Sequence, residues 1–167
     1  MIELTLAEIA GAVDGKIVTG EADLKVSGNP DTDSRALEVG GIFFAKLGEH
    51  DDGHRYLDQV ADVAALAVVS QPNAALSLPQ IQVEDTVVAL TALAKFVLNQ
   101  VRSQGELQVV GITGSNGKTI VKEWAAELLA TSLRVVRSPR SYNSQVGVPL
   151  SLLTLSPEAD AALVEMG

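Results

Sequence analysis

A chain of 167 residues can form one ordinary domain, or one small domain and part of another. Hydrophobic residues make up 47% and charged residues 20%, which is enough apolar surface for a core and excludes a disordered composition. The formal net charge of -9 would repel a polyanionic backbone and argues against a nucleic-acid partner, while the lack of cysteine excludes disulfides, thiol nucleophiles and thiolate metal sites.

At the N-terminus, Thr5 followed by Glu8 predicts a capping box on a short helix ending near Ala12, with Gly15 beyond its end. This segment carries Glu3 and Glu8 and no basic stretch before an apolar run, so it does not read as a secretory signal. Elsewhere no apolar run approaches the ~20 residues that span a bilayer, and a cytoplasmic protein without membrane insertion is expected. Strands are predicted at 16–19, 24–27, 42–45 and 64–69, with a helix over 53–61 between the last two. The Ser-, Pro-, Asn- and Ala-rich stretch 70–79 marks a surface connection before a strand at 80–84. From there Val87, Leu90, Ala94, Val97 and Val101 recur at helical spacing behind a cap at Asp85 or Thr86. This helix is expected to join two domains.

Beyond the polar stretch 103–106 the pattern reads strand at 108–113, glycine loop, helix at 119–130 and strand at 133–137. Such a βαβ unit implies a parallel sheet with a right-handed crossover. A further helix is expected near Pro149, and a third strand at 161–166. Three parallel strands are thin for a sheet that needs both faces covered, so a truncation at Gly167 is expected. The fold class is α/β: a small N-terminal α/β domain over 1–84, a connecting helix and linker over 85–104, and the start of a phosphate-loop, parallel-sheet domain over 105–167.

The run Gly111-Ile112-Thr113-Gly114-Ser115-Asn116-Gly117-Lys118-Thr119 lies between an apolar strand and an amphipathic helix, the context a phosphate loop requires. Gly114 and Gly117 lack a Cβ, so the backbone around Ser115 and Asn116 can take positive φ and bring amides close to phosphate oxygens. Lys118 is placed to reach the β and γ phosphates of a nucleotide, and the Thr119 hydroxyl to coordinate the magnesium that bridges them. The longer Walker pattern would require glycine at position 112, where Ile112 stands, so the match is to GxxGKT. Its plainer reading is a tight strand-to-helix turn with a solvated lysine. Glu165 lies near the C-terminal end of the third strand, and ligands of open α/β sheets bind at the carboxyl ends of strands, which would place this carboxylate beside the loop as a magnesium ligand. A water-exposed glutamate is its plainer alternative.

These residues, followed by Val121-Lys122-Glu123, by SYNSQVGVPL at 141–150 and by Glu165-Met166-Gly167, resemble the ATP-dependent Mur ligases, in the branch that adds D-alanyl-D-alanine to UDP-N-acetylmuramoyl-tripeptide. Asp33-Ser34-Arg35, Gly41-Ile42-Phe43-Phe44-Ala45, Gly48 and Asp52-Gly53-His54 are similar to the uridine-nucleotide-binding domain which that branch shares with the MurE type. The resemblance implies a three-domain ligase of peptidoglycan synthesis, here with its substrate domain and part of its ATPase domain. It implies ATP and Mg2+ as cofactors, UDP-N-acetylmuramoyl-tripeptide and D-alanyl-D-alanine as partners, an acyl-phosphate intermediate and a monomeric state.

By the same resemblance Gly114, Ser115, Asn116, Gly117, Lys118, Thr119 and Asn143 hold the nucleotide, Thr119 and Glu165 the metal, and Ser34, Arg35, Gly48, Asp52, Gly53 and His54 the substrate; Lys118, Thr119 and Glu165 are the catalytic set. Chemically, Ser34 and Arg35 offer a hydroxyl and a guanidinium fork to a diphosphate or sugar acid. A solvated turn after Pro30-Asp31 explains them more plainly, as a turn entering a helix explains Asp52-Gly53. Trp124 and Tyr142 read as packing residues. Ile120 stands where the family has a second threonine, Ser144 where an asparagine is common, and Ala64-Ala65 replaces Gly-Ala. The alternatives are a binding module without turnover, a MurE-type ligase, or a folylpolyglutamate-type ligase or phosphotransferase, which would not need Asp33-Ser34-Arg35. Alone, the chain is expected not to ligate.

Overall fold

In the computed structural model, which describes residues 2–48, 51–139 and 142–167, strand β1 (Leu4–Thr5) runs directly into helix α1 (Leu6–Ala12). The Thr5 hydroxyl accepts from the Glu8 amide at 3.2 Å, and the Glu8 carboxylate accepts from the Thr5 amide at 2.8 Å, which is the expected reciprocal cap. Two compact units divide the chain, essentially Glu3–Leu93 and Ala94–Gly167, and the division falls inside a helix.

The first unit is built on a five-stranded sheet of β2 (Lys16–Thr19), β4 (Pro30–Asp31), β5 (Ile42–Phe44), β6 (Leu66–Val69) and β7 (Gln80–Gln82), ordered β2-β7-β6-β5-β4. The pairs from β4 to β7 are parallel, and β2 closes one edge antiparallel to β7. The interior strands β5 and β6 are buried along their whole length, which is why they read as unbroken apolar runs and not as alternating ones. Phe43, Ala45, Leu57, Val60, Ala67 and Val69 form one cluster on this sheet. The strand β3 (Lys25–Val26) pairs with β1 as a separate antiparallel ribbon.

Two differences from the sequence expectation have local causes. The helix over 53–61 divides into a 3-10 turn, Gly53–Tyr56, and α2 (Leu57–Val60), because the Asp52 carboxylate caps the His54 amide at 3.0 Å and tightens the first turn. Strand β4 has no apolar pattern to betray it; it exists because Pro30 and Asp31 lie beside Ile42 and Phe43 at a sheet edge, where proline's missing donor is tolerated.

Helix α3 (Thr86–Gln104) begins where expected, with the Asp85 carboxylate accepting from the Val87 and Val88 amides at 2.7 and 3.0 Å. The Thr86 hydroxyl instead donates to the Ala45 carbonyl at 3.2 Å. Among the described residues no helix is long and apolar enough to cross a membrane.

The second unit contains β8 (Gln108–Ile112), α4 (Lys118–Leu129), β9 (Val135–Arg137), α5 (Gly147–Leu153) and β10 (Ala161–Glu165). All three strands are parallel, in the order β8-β10-β9. Although β8 and β9 follow each other in the chain, β10 lies between them. It is buried at every position, and only the middle place gives it a neighbour on each side. Ala126 of α4 packs with Ala161 and Leu163 of β10, where small side chains let the helix approach the sheet. Trp124, read from sequence as a packing residue, is instead 66% exposed, because α4 turns its Lys122 and Ala126 face inward.

Arg134 and Asp160 pin the starts of β9 and β10 together. The guanidinium donates to both carboxylate oxygens at 3.0 and 2.9 Å, and the Arg134 amide adds a bond at 2.8 Å. These bonds hold the Asp160 carboxyl down at about 2. A carboxyl depressed on folding stabilises the protein above its unfolded value, near 4, and that contribution disappears as pH falls towards 2. Asp160→Asn should therefore lose less stability than the parent chain between pH 4 and pH 2, as measured by urea unfolding. Parallel losses in the two proteins would show that the pair contributes nothing.

Candidate functional site

The chain leaves β8 at Ile112 and turns through Gly114 and Gly117, at φ +144° and +77°, before α4 starts at Lys118. Gly117 caps the helix in the left-handed region, which costs a residue with a Cβ about 1–2 kcal/mol. No side chain caps α4, so its first amides remain available to an anion. An opening of about 340 Å³ lies over this turn, lined by Ser115, Asn116, Gly117, Lys118, Thr119, Ile120, Asn143 and Glu165. The Lys118 ammonium folds back over the loop and donates to the Gly114 carbonyl at 2.7 Å.

Glu165, 2% exposed at the end of β10, receives the Thr119 hydroxyl on Oε2 at 2.9 Å and the Asn143 side-chain amide on Oε1 at 3.0 Å. Three segments far apart in sequence thus converge at the carboxyl end of the sheet. Gly167 helps to hold them: its amide donates to the Asn143 carbonyl at 3.0 Å, and a Cβ there would come within 2.8 Å of that oxygen. As a metal site the donor set is one carboxylate and one hydroxyl, and among the described residues no group of three acidic, histidine or cysteine side chains gathers anywhere. Such a pair suits Mg2+, which keeps waters and phosphate oxygens as its other ligands, and does not suit a cation needing an all-protein cage.

In the first unit a second opening, of about 420 Å³, lies beyond the ends of β4 and β5. Its lining includes Ser34, Arg35, Gly48 and Gly53 of the expected set, together with Thr32, Asp33, Lys46, Asp51, Tyr56 and Gln59. The Arg35 fork closes on Asp33, with Nε and Nη2 donating at 2.9 and 2.7 Å. Those bonds hold the Asp33 carboxyl down at about 2.

The family model of the Mur ligase middle domain matches residues 112–167, from the end of β8 through the loop to Gly167. Over 172 residues, 100% of this chain and 36% of the relative, the sequence is 38% identical to the UDP-N-acetylmuramoyl-tripeptide--D-alanyl-D-alanine ligase of Haemophilus influenzae. Residues 112–167 belong to the Mur ligase middle-domain family, and the chain is similar to Mur ligases along its whole length. A solved MurF of Acinetobacter baumannii, a Mur ligase, matches 100% of this chain with 36% of its own at 30% identity and a TM-score of 0.88. The MurF ligase of Thermotoga maritima, solved in complex with ADP, matches 84% of this chain with 32% of its own at 28% identity and a TM-score of 0.70. The chain therefore spans about a third of the length of the Mur ligases it matches.

Two residues expected from the Mur ligase resemblance to hold substrate, Asp52 and His54, do not line the first-unit opening. His54 Nδ1 lies 2.6 Å from Asp52 Oδ1, and Nε2 accepts the Ser70 and Gln71 amides at 3.0 and 3.2 Å. Amides only donate, so Nε2 is the acceptor and Nδ1 carries the hydrogen that Asp52 receives. The ring therefore fastens the 3-10 turn to the end of β6.

Ile120, a departure from the Mur ligase pattern, is 57% exposed at the rim of the phosphate-loop opening. Ser144 accepts the Gly147 amide at 3.1 Å and so opens α5. Ser141, which begins the motif at 141–150, lies outside the described residues, as does His50. Sequence reading passed over Lys46 and Tyr56 in the first opening. Lys46 follows directly on the apolar run of β5, where strand-end residues meet ligands, and that position was its available signal.

Proposed function

We propose that this chain contributes the uridine-nucleotide-sugar site and the ATP phosphate loop of a ligase that joins D-alanyl-D-alanine to UDP-N-acetylmuramoyl-tripeptide, acting as a monomer in the cytoplasm. Residues 1–84 take the substrate role, 85–104 the connection, and 105–167 part of the ATPase role. The observation that carries this reading is the convergence of Lys118, Thr119, Asn143 and Glu165 on one opening, in a chain similar along its whole length to ligases of that name.

In the proposed reaction the γ-phosphoryl group of ATP passes to the terminal carboxylate of the tripeptide, and the amine of D-alanyl-D-alanine displaces phosphate from the acyl phosphate. Such chemistry is chiefly positioning and charge neutralisation. The amides of Ser115, Asn116 and Gly117 and the Lys118 ammonium cradle the phosphates, with Lys118 exchanging the Gly114 carbonyl for a phosphoryl oxygen. Thr119 and Glu165 would hold Mg2+, whose charge would offset negative charge on the transferring group. Asn143 keeps Glu165 aimed at the opening. In the other unit, Ser34, Lys46 and an Arg35 released from Asp33 meet the diphosphate or the sugar acid, with Gly48 and Gly53 keeping the wall open. Asp52 and His54 serve there by shaping the turn.

Titrating the 167-residue chain calorimetrically with ADP and with UDP tests the reading. Two independent isotherms are expected, with ADP binding strengthened by Mg2+ and UDP binding indifferent to saturating ADP. Competition of the two nucleotides for one site would refute it. For the ligation itself, phosphate release by a protein containing this chain should require both the UDP-linked tripeptide and D-alanyl-D-alanine.

A further inference from the structure

Lys122 is wholly buried on the inner face of α4, one turn beyond Lys118, and the chemistry proposed above leaves it without a task. A buried ammonium carries a desolvation cost that an apolar residue at this helix position would avoid. Its surroundings indicate what the charge answers to. Nζ donates to the Ser138 carbonyl at 2.7 Å and lies 3.8 Å from Glu165 Oε2 and 3.3 Å from Glu123 Oε1. Glu123 also pairs with Arg137 at 2.6 Å, on the partly exposed side of the helix. The Glu165 carboxylate is buried, and the hydrogen bonds it receives from Thr119 and Asn143 come from neutral groups. Ser138 completes the link, since its hydroxyl accepts the Glu165 amide at 3.1 Å while its carbonyl takes Lys122.

We infer that Lys122 is a positioning residue for the metal end of the phosphate site. From behind, its ammonium fixes Glu165 Oε2 against the Thr119 hydroxyl and ties α4 to the chain leaving β9. The carboxylate and the hydroxyl then meet a magnesium-nucleotide as a set pair, with no side chain to reorient on binding. This rests on reading the loop as a magnesium-nucleotide site. Partners lying behind metal ligands typically change metal affinity about 10- to 100-fold when removed, and that is the size of effect expected here.

The test measures ADP binding by the 167-residue chain in EDTA and across a Mg2+ titration, with Lys122→Met and Lys122→Gln compared with the parent and folding checked by circular dichroism. The glutamine variant retains an uncharged donor and serves as the milder control for folding. The expected result is a Mg2+ half-saturation raised about 10- to 100-fold, with ADP affinity in EDTA within about 2-fold of the parent. Unchanged Mg2+ dependence in a folded variant would overturn the inference. So would an equal loss of ADP affinity in EDTA, or failure of both variants to fold, since either marks Lys122 as a support of the fold in general. If the parent chain shows no Mg2+-dependent ADP binding, the phosphate-site reading fails, and this inference with it.

Discussion

Lys118→Ala is expected to reduce phosphate release by a ligase containing this chain about 10²- to 10³-fold, the loss typical of removing one preorganised charge-stabilising donor. The same substitution in the 167-residue chain should weaken ADP binding while leaving UDP binding untouched. Lys118 is the cation among the described residues that line the loop opening. The remaining donors there are amides and neutral side chains, which cannot replace a full charge beside the β and γ phosphates. The 2.7 Å bond from Lys118 to the Gly114 carbonyl shows how short a movement delivers the ammonium, since it already spans the loop. ADP affinity within about 2-fold of the parent in Lys118→Ala would remove the basis for the phosphate-loop assignment.

Glu165→Gln is expected to have the second largest effect, raising the Mg2+ required for ADP binding by about 10²-fold and lowering phosphate release to a similar degree. Glutamine retains the size of the side chain and one oxygen, so the contact with either Thr119 or Asn143 can persist; what is lost is the charge. Mg2+ takes hard, charged oxygen ligands, and in this donor set Glu165 supplies the only carboxylate among the described lining residues. The two variants can be told apart. Lys118→Ala should weaken ADP with and without metal, whereas Glu165→Gln should act only through the metal. A Glu165→Gln chain with the parent's Mg2+ dependence would exclude Glu165 as a ligand.

Much of the architecture could be read from residue order because the interactions behind it are local. Thr5 with Glu8 and Asp85 with the Val87 and Val88 amides are caps closing within three residues. The stripe of Val87, Leu90, Ala94, Val97 and Val101 is one face of one helix; the last four are buried as their spacing requires, and Val87, in the first turn, is half-buried. The phosphate loop is local too: two glycines, a lysine and a threonine between a strand and a helix are its whole requirement, and their spacing announces it. Residue order also placed Glu165 at a strand end and hence near the loop.

Tertiary packing decided the rest. That β10 lies between β8 and β9 follows from its burial on every side, which no local pattern of five residues encodes. Lys122 is adjacent in sequence to Glu123, yet its place beside Glu165 and Ser138 exists only once α4 lies on the sheet. The Ser70 and Gln71 amides that donate to His54 Nε2 lie 16 and 17 residues away and meet it only across the folded unit. Caps, turns and helix faces are set by neighbours within a few residues and are therefore written in the sequence. The partner of a buried charge is chosen by which strands and helices come to lie side by side, and that choice belongs to the folded chain as a whole.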